Sequence, residues 1–220
     1  MADMRRRGPE PAPGAPEIQF KPGTADEMMR EIAPLLAEEG IDLEGDVPDM
    51  ETLQAAMNRA VERLNMMRFT PVGQARELAA AALRSAVGAL AEGDTALAAA
   101  VLEQVEPESP DNTVATAASC IGVALGLVDS WLGGGDPQVP KGLAERVALP
   151  AGHWVGERAA LDVLVLGRKG RAFRSLDTLI ARQGGRHVLY GSTLVLAGAV
   201  QAWAGITGAP VPEVIVAAMR

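Results

Sequence analysis

The nineteen residues from Val188 to Ile206, VLYGSTLVLAGAVQAWAGI, carry no charge, and a fold must first find a place for them. About 20 apolar residues cross a bilayer, so length alone admits a membrane span. Composition argues the other way. Gly and Ala fill much of the run, and Ser192, Thr193 and Gln201 interrupt it, so the gain from entering lipid is modest. A helix apolar on every side equally suits the centre of a soluble bundle. We expect such a core helix and no membrane span. Gly191, Gly198 and Gly205 recur at intervals of seven, on nearly one helical face. Glycine costs about 1 kcal/mol within a helix relative to alanine, which is compensated if a neighbouring backbone approaches closely there. Gly122 and Gly126, four apart in another apolar run, are the expected neighbours.

The rest of the chain reads as shorter, half-polar helices around that pole. The expected fold is all-α, a multi-helix bundle of about seven to nine helices around one or two Gly/Ala-rich central helices. With 220 residues and aromatics at only 3%, small side chains must separate closely spaced helices. Four segments follow from composition. Residues 1–22, rich in Pro and Gly, form an expected disordered tail. Residues 23–132 form a helical lobe of αα-hairpins, residues 133–155 a Pro/Gly-rich loop, and residues 156–220 a second helical lobe packing on the first in one compact domain.

Local signals place the helix ends. Thr24 and Glu27 have the spacing of a capping box, with Pro34 inside the helix that follows and Gly40 ending it. Met50, Leu53, Met57, Ala60, Leu64 and Met67 fall at alternating intervals of three and four, an apolar seam over residues 48–68. Thr70 and Pro71 are expected to open a third helix, and Asp94 to cap a fourth. The piece from Gly93 to Pro110 resembles the latter half of a tetratricopeptide repeat, with Gly93-Asp94 at the turn, Ala98 as the small contact and Pro110 beyond. That resemblance implies a helical hairpin and covers no more. Asp111 or Asn112 is expected to cap a fifth helix starting near Thr113. ALDVLVL, within 159–166, is expected as helix, and a last short helix over 212–219.

Chemistry is sparse. Cys120 is the single cysteine, which excludes an internal disulfide, and its apolar surroundings make it a small buried hydrophobe. The two histidines, His153 and His187, have no ligand-spaced companion. Asp42, Glu44 and Asp46 alternate like calcium-loop ligands, but Val47 and Leu53 occupy the positions that need Gly and Glu. We therefore expect no catalytic, metal or cofactor-binding residues. The net charge of −8 argues against a nucleic-acid partner, whose affinity rests on neutralising phosphate. The N-terminus has no apolar stretch after Arg5, Arg6 and Arg7, so a cytoplasmic location is expected.

Three clusters stand out as candidate contacts. Met50, Leu53, Met57, Leu64 and Met67 offer a self-complementary helix face and a homodimer or protein partner. Tyr190, Gln201 and Trp203 could anchor a ligand in an apolar pocket. Residues 141–186 hold nine Lys or Arg against four Asp or Glu, a formal +5. There Arg168, Lys169, Arg171 and Arg174 step along one expected helical face as an anion or partner contact. The leading functional expectation is a non-enzymatic helical interaction or regulatory protein that self-associates. A small-molecule-binding all-α domain is the first alternative, and an enzyme acting on an anionic substrate the second.

Overall fold

The computed structural model describes residues 24–41, 49–106, 114–151 and 154–219. Among these are ten α-helices and one 3-10 turn, and no strand. The fold is all-α. The expected tail, the acidic segment around Asp42, Glu44 and Asp46, the caps Asp111 and Asn112, and His153 lie outside the described residues. The chain divides into two units, Met1–Leu64 and Asn65–Arg220.

The first unit contains α1 (Thr24–Glu38) and α2 (Met50–Phe69) as far as Leu64. Asp49 starts α2: its carboxylate accepts from the backbone N–H groups of Glu51 and Thr52 at 3.1 and 3.0 Å and from the Thr52 hydroxyl at 2.8 Å. Two of those bonds give acceptors to backbone N–H groups that a helix start otherwise leaves unpaired, and all three hold the Asp49 carboxyl below its usual range. Ile32, Leu35 and Leu36 of α1, with Ile41 just beyond, bury themselves against Ala56 and Ala60 of α2. Small residues four apart let the α1 side chains seat deeply on one face.

The second unit is built on α9 (Gly185–Thr207). Around it lie α3 (Gly73–Ala91), α5 (Ala117–Leu132), α6 (Leu143–Arg146), α7 (Glu157–Gly167), α8 (Leu176–Gln183) and α10 (Val211–Ala218), all packed on α9, with α4 (Thr95–Glu103) packed on α3. Every residue from Val188 to Val200 is buried. By length and composition α9 is the one described helix that could cross a membrane, and 72% of its apolar window is already covered by its own neighbours. Burying one large aliphatic side chain contributes about 1.5–3 kcal/mol, so this covered helix dominates the packing of the unit.

Several expectations need correction. Gly122 and Gly126 do not face the α9 glycines. A Cβ at Gly122 would collide with the Phe69 carbonyl, and Gly126 has open space beside it. Gly191 instead lies against Gly156 and the Ala159–Ala160 backbone of α7, and Gly198 against the Ala148 carbonyl, while Gly205 touches nothing. Two of the three α9 glycines are thus close-approach sites, for α7 and for the chain entering it. The third helix starts at Gly73 instead of Thr70, because the Thr70 hydroxyl donates back to the Met66 carbonyl at 2.9 Å and finishes α2. The fifth starts at Ala117, capped by Thr116, whose hydroxyl accepts from Ser119 N–H at 3.2 Å. The short α6 lies in a stretch expected to be loop.

Candidate functional site

The α2 stripe comes apart into a centre and an edge. At 100° per residue, Ala56 and Ala60 define the direction of α1. Arg59 and Arg63 lie on one side of that line and Leu53, Leu64, Met57 and Met50 on the other. The arginine side is closed by ion pairs: Arg59 Nε to Glu39 Oε2 at 2.9 Å, Arg63 Nη2 to Glu38 Oε2 at 2.8 Å. The other side is less fully covered. Leu53, Met57 and Leu64 are only partly buried against the α1 core, and Met50 is 77% exposed. Met67, in the second unit, is also exposed. The seam read from the sequence is therefore offset, with alanines at its centre and the larger residues forming a flank. Met50, Met57 and Leu64 on this flank are spaced seven apart over two heptads, with a drift of only about 20° per heptad.

The three pocket candidates are not brought together. Trp203 packs edge-on against Trp131 of α5, ring centroids 5.8 Å apart at 81°, inside the core. Gln201 sits at the rim of a small groove, its amide donating to the Ala91 carbonyl at the end of α3 at 2.8 Å. Leu90, Thr95, Pro150, Trp154 and Leu194 help line this groove, which encloses about 190 Å³. Tyr190 is buried beneath Trp154, centroids 5.3 Å apart, with the Arg186 guanidinium 5.4 Å from its ring. Trp154, which the sequence reading passed over, is the side chain connecting Tyr190 to the groove: its Nε1 donates to the Tyr190 carbonyl at 2.9 Å. A tryptophan near the end of the Pro/Gly-rich loop was the available signal.

Arg168, Arg171 and Arg174 do not share a helical face. The α7 helix ends at Gly167, and Gly170 turns the chain with φ near +60°, a conformation glycine adopts without strain. Gly133, at the end of α5, fits against Gly170, where a Cβ would lie 2.8 Å from its Cα. The Asp129 carboxylate then accepts from Ala172 N–H at 2.7 Å and Phe173 N–H at 2.9 Å, starting the 3-10 turn Phe173–Ser175. Arg168 is occupied within the fold, donating to the Ala144 and Val147 carbonyls at 2.9 and 3.1 Å. Lys169, Arg171 and Arg174 remain exposed around the turn. The positive charge is local, but it belongs to a turn.

Cys120 is fully buried, and loss of solvation pushes its thiol from an ordinary 9.0 up to about 12. A thiol held protonated in this way is a packing group, not a nucleophile. His187 lies exposed in the first turn of α9. Among the described residues no group of three or more His, Cys, Asp or Glu is placed to hold a metal ion. Compared with protein-family models, curated proteins and solved structures, the chain matches none.

Proposed function

We propose that this protein is a non-enzymatic, cytoplasmic helical interaction protein that associates with a second copy of itself through the open edge of α2. The observation carrying this reading is the uncharged row Met50, Leu53, Met57 and Leu64, partly exposed along its length and 77% exposed at Met50. Among the described residues six side chains form the core of this hairpin, and a second copy laid along its edge would extend that core. Methionine suits such an edge because its flexible thioether adapts to an opposing surface. Closed two-fold pairing is the commonest assembly of soluble chains and asks only that one face complement itself. The groove beside Trp154, at about 190 Å³, is below the roughly 300–1,000 Å³ of a typical ligand site, which favours the interaction reading over a small-molecule one.

Methionine oxidation tests the reading without any substitution. With peroxide as the probe, Met50 and Met57 oxidise readily in dilute protein and slowly in concentrated protein, while buried Met219 stays slow in both. Rates at Met50 and Met57 that ignore protein concentration would overturn it.

A further inference from the structure

The second unit separates its charges sharply. From Ser85 to Pro140 the chain carries no Lys or Arg and eight Asp or Glu, whereas residues 141–186 have the formal +5 already described. The fold turns this segregation into two exposed helix faces, each with an apolar centre. On α4, Leu97 is 53% exposed beside exposed Ala100. Glu92 and Asp94 stand before that pair and Glu103 and Glu106 after it, all four exposed. On α7, Leu161 and Val165 lie four apart and are 55% and 52% exposed. Arg158 precedes them and Lys169 follows, both exposed, while Arg168 is held by the Ala144 and Val147 carbonyls. Glu157 is the exposed acid on that helix, since Asp162 is tied to Gln183 at 2.8 Å. Glu103 meets Arg186 at 3.5 Å with both side chains in solvent, a pairing weak enough to be exchanged.

We infer that the α4 face of one copy docks on the α7 face of another, leucine against the Leu161–Val165 pair and the acids of α4 against the bases of α7. The two faces match in length and apolar centre and are opposite in charge, which is what an interface needs for steering and register. Neither face matches itself, because two copies of α4 repel, as do two copies of α7. Because α4 meets α7 and not itself, two copies close as a two-fold pair where both contacts form together, and otherwise each copy keeps one free face of each kind and growth continues until a ring closes. This inference does not rest on the α2 edge, and its test removes that edge.

The test uses the full chain carrying Met50→Glu, which places a charge on the α2 edge. In that background Leu97→Arg and Leu161→Glu are made separately; both sites are more than half exposed, so neither change disturbs the core. Sedimentation at low salt should show the Met50→Glu protein associating with concentration, as a dimer or larger, and each added substitution should return it to monomer. An equimolar mixture of the two doubly substituted proteins should form a one-to-one complex and nothing larger, since one supplies an intact α7 face and the other an intact α4 face. Salt should dissolve every assembly, because the screening length falls from about 30 Å at 0.01 M to about 3 Å at 1 M. A mixture that stays monomeric, or a single-face variant that still assembles, would overturn the inference. Unchanged helical circular dichroism in all variants excludes unfolding as the cause.

Discussion

The indole N–H of Trp154 donates to the backbone carbonyl of Tyr190 at 2.9 Å while its ring covers the tyrosine ring at 5.3 Å. Tyr190 is thereby sealed into the second unit, and its hydroxyl is buried with no hydrogen-bond partner among the described residues. A buried polar group left unpaired is a cost to the fold. Tyr190→Phe should therefore leave thermal stability unchanged or raise it by up to about 1 kcal/mol. Trp154→Phe, which deletes the donor, should lower it by about 1 kcal/mol. Thermal melts decide both, and a marked loss in Tyr190→Phe would mean that the hydroxyl has a partner.

The α9 glycines separate into sites that are filled and one that is not. A Cβ at Gly191 would lie 2.6 Å from the Ala160 nitrogen and 2.8 Å from the Gly156 oxygen, whereas Gly205 has nothing within 4 Å. Backbone cannot yield as a flexible side chain does. Gly191→Ala should cost roughly 1–3 kcal/mol by overpacking, while Gly205→Ala should stabilise by about 0.5–1 kcal/mol through helix propensity. Chemical denaturation of the pair measures both signs at once. Equal effects would mean that α7 does not seat on Gly191.

Burial of Cys120 makes its thiol a reporter of the core. Held protonated up to about pH 12 in the folded chain, it should resist a thiol reagent at pH 8 and react at once in denaturant. The folded value is raised above that of the unfolded chain. The stability contributed by the neutral thiol is therefore complete below the ordinary thiol value of 9.0 and declines as pH rises toward the folded value. Cys120→Ala should flatten that alkaline loss in a melting series. Fast labelling of the folded protein would show that α5 is not packed as described.

Much of this architecture is legible in the sequence, for local reasons. The uncharged run fixes α9 because only a covered position tolerates it, and Asp94 marks the start of α4, accepting from Leu97 N–H at 2.9 Å. What the sequence conceals is which helix meets which. The spacing of Gly191 and Gly198 shows that something approaches closely; that it is α7 and the chain before it depends on the path after α6. The arginine row fails for a related reason. Threefold spacing suits a helix, but Gly170 and the Asp129 carboxylate, distant in sequence, bend 168–174 into a turn. For α2, periodicity finds the apolar stripe but not its centre, because the α1 side chains bury themselves against Ala56 and Ala60 and leave Met57 partly buried at the side.

Self-association through the α2 edge is tested most directly by sedimentation equilibrium of the native chain beside Met50→Glu, in salt high enough to screen any charge-driven contact. Met50 is 77% exposed at the start of α2. A glutamate there favours the positive end of the helix dipole, so the variant keeps its fold. The native chain should approach twice the monomer mass as concentration rises, and Met50→Glu should remain at the monomer mass across the same range. A native chain that stays monomeric throughout, or a Met50→Glu chain that dimerises as tightly as the native one, would contradict the account.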